Sequence, residues 1–265
     1  MINLYKLYGF FFCLLTFFSQ VIAHQPVMDM APRWKGGYGF QVRYELHEKR
    51  DLVKYNKKQA NPLGLASGEN SVWLEGIYTF TRQRRITVKL PYYSKWEKQA
   101  NSTGGVDRFE NAGFGDLIVA SIHKKYVNMP GWTANFTLAP QLKLPTGKQD
   151  GDLSIGSGTI DYGLSLGAAG EKFRYYAMTD LFYWHYGKQS DGFQPGSLIG
   201  FDSDWGYHPY HNMKTNSGVF LMMGLNARFF QADKGGNSGK PSGQTLEMVP
   251  TVMVYRDDIM GKLQY

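Results

Sequence analysis

Apolar and polar side chains alternate along residues 132–144. Apolar residues occupy every second position from Trp132 to Leu144, and the positions between them are polar apart from Ala139. Because successive side chains of a β-strand point to opposite faces, this segment predicts a strand with one apolar and one polar face. The same rhythm recurs along the chain and predicts eleven strands: 38–47, 72–80, 86–93, 115–126, 132–144, 160–168, 175–184, 199–207, 219–229, 246–254 and one that begins near Ile259.

The predicted strands are joined by connections that alternate between long and short. Residues 48–70, 94–113 and 146–156 are long polar stretches, whereas 82–84 and 170–172 are tight turns. Outer-membrane barrels have short periplasmic turns and longer extracellular loops, and a soluble sandwich has no reason to alternate in this way. The sequence therefore predicts an all-β fold, an antiparallel transmembrane β-barrel whose long loops face outside.

The number of strands bears on how the barrel closes. Bacterial single-chain barrels have an even number of strands, and an open edge in lipid would leave backbone groups unpaired at a cost of several kcal/mol each. We therefore expect about 12 strands, of which the last is missing or cropped after Tyr265. The alternatives are a strand overlooked in residues 24–35 or two strands read as one. Pro140 and Pro250 lie on the outward phase of their strands and predict a bulge or bend at each position.

Charge placement indicates which face of the strands meets lipid. A Lys or Arg on the lipid face at the bilayer midplane costs about 2–4 kcal/mol, so the apolar faces are predicted to face lipid and the charged faces a wet lumen. The alternative is a soluble barrel or sandwich with the apolar face inside. In the least regular segment, Ile118, Ala120 and Ile122 are predicted to face outward, although Asp116 and Lys124 share their phase. The charged residues on the predicted inner faces are Arg43, Glu45, Glu75, Lys89, Lys143, Asp161, Asp180, Asp202, Asp204, Arg228 and Glu247.

The N-terminus has the features of a secretory signal peptide. Lys6 precedes an apolar run that is too short to span a bilayer of roughly 30 Å as a helix, and small residues lead to a cleavage position after Ala23. We expect a signal peptide at 1–23 and an outer-membrane β-barrel domain at 24–265. The single cysteine, Cys13, lies in the signal peptide, so the mature chain has no disulfide or thiol chemistry.

Composition and charge narrow the partners of the mature chain. The formal net charge is +7, but the basic residues form no dense cluster, so we expect no nucleic acid as a partner of this exported protein. The expected partners are outer-membrane lipids, lipopolysaccharide in contact with basic loops, and a small-molecule solute. Aromatic residues near the predicted strand ends fit an interfacial girdle: Tyr38, Tyr92, Trp132, Tyr175 and Trp205.

The sequence contains little that favours catalysis or metal binding. His208 and His211 are the only close pair of histidines, and we expect a turn with two solvated imidazoles there. His24, Met28 and Met30 would suit copper, but no fixed-spacing motif supports a site, and we expect a flexible periplasmic tail. Because no Gly-x-Ser-x-Gly elbow is present, we predict a protein that is not an enzyme and has no cofactor, and a membrane-bound lipid hydrolase is the third reading.

Three segments resemble a known outer-membrane family, the one named for the MetA pathway of phenol degradation. They are Gly113-Phe114-Gly115-Asp116-Leu117, Leu144-Pro145-Thr146-Gly147-Lys148, and the stretch from Gly156 to Leu164, which begins Gly-Ser-Gly-Thr. In the family, a Gly-x-Gly-Asp strand start is followed by a Leu-Pro-Thr-Gly loop and then a Gly-Ser/Thr-x-Asp strand. The resemblance implies a β-barrel that helps aromatic or other small molecules cross the outer membrane.

Together these patterns predict a passive channel or transporter for small solutes, aromatic ones among them, in the bacterial outer membrane. The alternative is a structural or adhesive barrel whose loops bind a partner outside the cell. A lumen of charged residues would set solute selectivity, or these residues would neutralise one another in a wall that fills a narrow barrel. The predicted lumen-lining residues are Arg43, Glu45, Glu75, Lys89, Lys143, Asp161, Asp180 and Arg228.

Overall fold

The structure is a computed structural model that describes residues 35–50, 52–54, 57–151, 153–212, 214–235, 242–257 and 259–264. The predicted signal peptide, the residues His24, Met28 and Met30, and most of the stretch 24–35 therefore lie outside the described residues. Within the described part of the chain, no helix is long and apolar enough to cross a membrane. Its regular elements are β1 (Tyr38–Lys49), β2 (Leu52–Lys54), β3 (Lys57–Gln59), β4 (Ser67–Thr81), β5 (Arg84–Ala100), β6 (Val106–Phe114), β7 (Leu117–Met129), β8 (Trp132–Leu144), β9 (Asp161–Lys172), β10 (Tyr175–His185), β11 (Leu198–Asn212), β12 (Ser217–Phe230), β13 (Gly243–Arg256) and β14 (Ile259–Gln264).

The strands form one antiparallel sheet that follows the order of the chain. β2 and β3 pair only with each other, as a hairpin within the connection between β1 and β4. β6 and β7 both pair with β5 and are the two halves of one interrupted strand. The main sheet thus has eleven strand positions, the number predicted from the sequence. Among the described residues no ladder joins β1 to β14, and the twelfth, closing strand stays a prediction.

The connections differ in length at the two ends of the sheet, as the sequence predicted. The turn residues Phe173, Asn216 and Asp257 have the positive φ angles that tight hairpins require. We call one end the short-turn end; its described residues are 82–83, 130–131, 173–174, 214–216 and 257. We call the other the long-loop end; its described residues are 50, 52–54, 57–66, 101–105, 145–151, 153–160, 186–197, 231–235 and 242.

The two faces of the sheet have opposite chemistry. On β1 the large apolar residues Phe40 and Val42 are 73% and 61% exposed, whereas the ionisable Asp161 on β9 is fully buried. The sheet curls toward its polar face, so that Arg43 on β1 and Lys262 on β14, at opposite edges of the sheet, lie close enough for their charges to interact. The predicted fold class, an all-β antiparallel barrel with an apolar exterior, is confirmed.

The predicted orientation of the segment 115–126 is wrong. Ala120 and Ile122 are 4% and 1% exposed and lie on the inner face, while Ser121 and His123 face outward. Lys124 shares the inner phase and is also buried. Apolar side chains lie on both faces of this strand and can also pack in the interior, so their alternation alone does not decide the phase of the strand.

The predicted long loop at 94–113 is mostly strand. β5 runs to Ala100 and pairs with β6 from Tyr92↔Phe114 to Ala100↔Val106, so the two strands form a hairpin at the long-loop end. Only residues 101–105 turn, and the Asn101 side chain accepts hydrogen bonds from the backbone of Thr103 and Gly105. Strands that project beyond lipid need no apolar face, so alternation of apolar residues cannot reveal them.

The predicted bulges at Pro140 and Pro250 are absent, but the sheet is locally interrupted at Pro140. Pro250 pairs with Met223 without a change in register, and Pro140 pairs with Leu164. On its other side, the ladder between β8 and β7 lacks the pairs at Ala139 and Pro140 and resumes in the same register at Leu138. The register shifts that the described ladders contain lie elsewhere, at Thr79/Thr81 and at Tyr207/Tyr210. Each proline removes one donor but keeps the register, because its φ angle is compatible with an extended backbone.

Candidate functional site

The first group of charged residues lies on the inner face of β1, β4 and β5. The register places Glu75 directly opposite Lys89, with their charged atoms 3.6 Å apart. Arg43 donates to Glu75 at 3.1 Å from Nε and also pairs with Glu45. The Trp73 indole donates to Glu45 at 2.9 Å, and the Arg43 guanidinium lies 4.9 Å from the Trp73 ring centroid. Cations and carboxylates here neutralise one another on a half-buried, polar wall.

A second group lies at the long-loop end and is organised by Asp116. Its carboxylate accepts hydrogen bonds from the Gly147 backbone at 2.9 Å, from the Ser157 backbone at 2.7 Å and from the Ser157 hydroxyl at 2.8 Å. A Cβ atom at Gly147 would lie 2.8 Å from Gly156, so both glycines are needed for the close approach of the two ends of the loop. Asp116 therefore ties the connection 145–160 back onto the start of β7.

Lys143 and Asp161 lie next to Asp116 and link this loop to its neighbour. Lys143 Nζ lies 2.5 Å from Asp161 Oδ2 and 3.9 Å from Asp116 Oδ2. Asp161 also accepts hydrogen bonds from the Thr159 hydroxyl at 2.7 Å and from the backbone of Gly187, in the connection 186–197, at 2.9 Å. The three motifs of the family resemblance therefore meet at one place, where one cation faces two carboxylates.

The ring of Tyr186 packs against this group from the connection 186–197. Lys143 Nζ lies 5.2 Å from the centroid of the Tyr186 ring. Burial, and then the negative charge of Asp161, raise the pKa of the Tyr186 phenol to about 12. The raised pKa keeps the phenol neutral well into the alkaline range.

The third group is on β9 to β12 and combines charges with an apolar cluster. Arg228 Nη1 lies 2.5 Å from Asp202 Oδ1, and its guanidinium is 4.9 Å from the Phe182 ring centroid. Asp180 accepts a hydrogen bond from the Ser165 hydroxyl. Phe182, together with Trp184 and Leu198, forms a buried apolar cluster inside the curl of the sheet. The interior is thus a mixed wall of paired ions and aromatic rings.

All eight residues that the sequence singled out lie on the inner face, but in three separate groups rather than one ring. Their role in selectivity stays a prediction. Sequence reasoning gave no site role to four inner-face residues: Asp116, which lies in a quoted motif, and Trp73, Tyr186 and Arg85. Arg85 is 1% exposed and donates to the Tyr126 hydroxyl at 2.8 Å. The sequence could have identified Arg85 as an inner-face residue, because it falls on the polar phase of its strand.

The histidines do not form a catalytic group among the described residues. His208 is buried on β11 and stacks on Phe220 at 3.9 Å, so the expected turn with two solvated imidazoles is wrong there, although His211 is exposed. His123 and His185 each have a serine hydroxyl nearby, at 3.0 Å and 3.4 Å. In the part of the chain that the structure describes, no group of three or more His, Cys, Asp or Glu residues could hold a metal ion.

Comparison with known proteins shows which of them resemble this chain in sequence or in structure. No family model matches this sequence, and no curated protein matches it. The structure is similar to the crystal structure of an outer membrane channel from Pseudomonas putida F1, with a TM-score of 0.65 and 15% sequence identity, over 88% of this chain and 87% of that chain. The likeness confirms a fold of the outer-membrane barrel class, whereas the link to phenol degradation stays a resemblance.

Proposed function

We propose that this chain is an outer-membrane channel for the passive passage of small solutes. The observation that supports it is the inside-out distribution of side chains: large apolar residues such as Leu166, Leu181 and Leu221 are exposed on the convex face, and Asp161, Asp180 and Asp202 are buried on the concave face. A soluble barrel would require the opposite arrangement, because exposed apolar surface in water is unfavourable and buried ions need partners. The neighbour in Pseudomonas putida F1 is itself described as an outer membrane channel.

The energetic argument concerns the outer face. A basic residue at the midplane of the bilayer costs about 2–4 kcal/mol, and the cost falls to about 0–1 kcal/mol near the interfaces. The ionised residues that face outward lie near the strand ends, for example Arg84 on β5 and Arg256 on β13, where the ladders begin or end. Between the strand ends the outer face is mainly apolar, as on β9, where Leu164 and Leu166 are exposed, although β7 presents Ser121 and His123 outward. Lipid therefore meets mainly apolar side chains.

The inner face supports a polar, size-limited passage. Each of the three charged groups contains both signs of charge, so water and small polar solutes meet neutralised walls rather than one large field. Aromatic rings lie under the cations in all three groups, with Trp73, Tyr186 and Phe182 about 5 Å from a Lys or Arg. This arrangement favours small solutes that combine a flat ring with a polar group, and it supports the aromatic solutes implied by the family resemblance.

Conductance in planar bilayers tests the channel. The full-length protein is reconstituted, and the reversal potential in a KCl gradient is measured for the wild type, Lys143→Ala and Arg228→Ala. Because each variant leaves a buried carboxylate without its cation, the channel should become more selective for K⁺ over Cl⁻. Lys188→Ala, which removes an exposed loop cation, serves as the control and should leave the reversal potential unchanged. Absence of any conductance, or reversal potentials that are equal in all four proteins, would reject the proposal.

Liposome swelling tests the solute class. Vesicles containing the protein are diluted into benzoate, or into an aliphatic carboxylate of similar size, and the swelling rate reports the entry of each solute. Faster entry of the aromatic solute, with the difference reduced in Trp73→Leu, is the expected result. Equal rates for the two solutes would leave the channel in place but refute the aromatic preference.

Location in the outer membrane is part of the same proposal. Separation of inner and outer membranes of expressing cells should place the protein in the outer-membrane fraction, and its intact mass should correspond to a chain that begins at His24. A protein that remains in the soluble periplasmic fraction would contradict the account.

A loop-mediated binding role is the second candidate, because one observation favours it. The hairpin of β5 and β6 extends from the long-loop end, and β6 pairs with β5 alone. This hairpin has an exposed pair, Arg108 with Glu110, and offers a free strand edge to a partner. Replacing residues 97–109 with a short turn should leave conductance intact. Loss of a surface phenotype in that variant, with solute uptake retained, would favour the binding role.

A further inference from the structure

The short-turn end is surrounded by exposed basic side chains. They lie in the turns or face outward at or near the short-turn ends of β5, β7, β9 and β13. The described acidic residues at this end are Glu171, which shares the inner phase with Tyr176, and Asp257. We call these six exposed residues the basic collar: Arg82, Arg84, Lys125, Lys172, Arg174 and Arg256.

The collar residues have no acidic partner. Several cations elsewhere do: at the long-loop end, Arg50 pairs with Glu48 at 2.9 Å and Lys95 with Glu69 at 3.1 Å. In the lumen, Arg43, Lys143 and Arg228 are paired as well. None of the six collar residues forms an ion pair with the residues that the structure describes; Arg82 instead lies over the ring of Tyr126. The collar therefore presents positive charge that none of the described carboxylates compensates.

The collar lies directly beside the apolar exterior. On the ladders, Lys172 is paired with Trp132 of β8 and with Tyr175 of β10, and all three side chains face outward. Phe173, in the turn that follows, is 76% exposed and has a positive φ of 55°. A bulky residue in the left-handed region is strained, and Gly or Asn would fit this turn better. Exposed aromatic rings with adjacent cations are typical of the boundary between acyl chains and headgroups.

We propose that the basic collar binds the phosphate groups of anionic phospholipids in the leaflet that the short turns reach. The proposal rests on the membrane location in the proposed function. The collar residues are spread over β4–β5, β7, β9–β10 and β13, so they follow the circumference of the sheet rather than one side. A single acidic protein would contact one patch, whereas a leaflet surrounds the barrel at one level. Lipopolysaccharide would instead meet the long-loop end, because the long loops of outer-membrane barrels face outside the cell.

Electron paramagnetic resonance of boundary lipids tests the collar. The full-length protein is reconstituted in phosphatidylcholine, and the association constant of spin-labelled phosphatidylglycerol is measured relative to that of spin-labelled phosphatidylcholine. The collar variant combines Lys125→Gln, Lys172→Gln and Arg256→Gln. The control variant removes the same charge from exposed positions of the long-loop end, with Lys49→Gln, Lys188→Gln and Lys234→Gln.

The wild type and the control variant should prefer phosphatidylglycerol, and the collar variant should lose the preference by roughly fivefold or more. High salt should reduce the preference of the wild type in the same way. Equal preference in the wild type and the collar variant, or an equal loss in the control variant, would overturn the proposal. Conductance of the same samples separates the claim about the collar from the claim about the channel. A protein that conducts but shows no lipid preference refutes the collar alone. A protein that prefers phosphatidylglycerol but does not conduct refutes the channel alone. Retention of the folded band in unheated gel samples shows that the collar variant has folded.

Discussion

Asp116 and Asn111 both tie the connection 145–160 to the wall of the barrel, and Asp116 holds the two segments of the loop that meet at Gly147 and Ser157, so replacing Asp116 should loosen this loop. Asp116→Ala removes three hydrogen bonds to a carboxylate, from the Gly147 backbone, the Ser157 backbone and the Ser157 hydroxyl, at 2.7–2.9 Å. Hydrogen bonds to charged groups contribute about 1.5–3 kcal/mol each, but all three donors regain water when the loop opens. We therefore expect the free energy of local loop opening to fall by about 2–4 kcal/mol.

Limited proteolysis with trypsin measures this loop opening directly. Lys148 lies within the loop, and its backbone is held by Phe114 and Ile155 in the closed arrangement. When opening is fast compared with cleavage, a decrease of 2–4 kcal/mol raises the rate of cleavage after Lys148 by roughly 30- to 700-fold. Asp116→Asn retains an acceptor oxygen and should give an intermediate rate. The strand ladders on both sides of the loop are unaffected, so the global unfolding midpoint should change little.

The matched control for this experiment is Asp150→Asn. Asp150 is an exposed carboxylate in the same loop, and its backbone oxygen, not its side chain, accepts the hydrogen bond from Asn111. The control should be cleaved at the wild-type rate. Cleavage after Lys148 at equal rates in Asp116→Ala and the wild type would refute the reasoning, because it would show that Asp116 does not hold the loop.

Three further predictions concern the wall of the barrel and its mouth. Arg228→Met leaves the Asp202 carboxylate, which is 1% exposed, without its cation; it should lower the free energy of unfolding in detergent by about 3–5 kcal/mol, and adding Asp202→Asn should restore most of the loss. In a cysteine-free background, Ile118→Cys should react with a charged, water-soluble thiol reagent in lipid vesicles, and Ser121→Cys should not, because position 118 faces the interior and is only half-buried, whereas position 121 faces lipid. Burial of neutral Tyr186 contributes stability that is complete below pH 10 and is lost as the pH rises toward 12, so alkaline unfolding of Tyr186→Phe should lack this pH-dependent loss.

Each of these predictions has an opposite outcome that would count against it. A double variant no more stable than Arg228→Met would mean that the buried ion pair does not account for the loss. Reaction at position 121 but not at 118 would restore the orientation that the sequence alone favoured. Parallel stability curves for the wild type and Tyr186→Phe between pH 9 and 12 would show that the phenol titrates equally in the folded and unfolded states.

The strands could be predicted from the sequence because each one has lipid on one face and a polar interior on the other. Apolar and polar side chains must alternate along such a strand. β8 was therefore predicted with the bounds that the structure shows, Trp132–Leu144. The alternation weakens wherever a strand leaves that environment. The hairpin of β5 and β6 was therefore read as a loop, and β7 was given the wrong phase because both of its faces contain apolar residues, such as Val119 and Ile122.

The residues of the inner face could also be predicted, but their partners could not. A charged residue on the polar phase of a strand faces inward because lipid excludes it, and this reasoning placed Arg43 and Asp180 correctly. Which ions pair depends on the register of neighbouring strands and on loops that return from a distance. Asp116 and Ser157 are 41 positions apart and meet only because Gly147 and Gly156 allow two loop segments to touch. Periodicity has no information about such contacts.

Quenching of tryptophan fluorescence by brominated lipids tests the central claim, that the apolar face of the sheet meets acyl chains and the charged face does not. Trp205 is 57% exposed on the outer face, and Trp184 is 8% exposed on the inner face. Two variants that each retain one of these tryptophans, with the others replaced by Phe, are reconstituted in lipids with brominated acyl chains. Strong quenching of Trp205 and weak quenching of Trp184 is the predicted result. Equal quenching of the two, or stronger quenching of Trp184, would contradict the account.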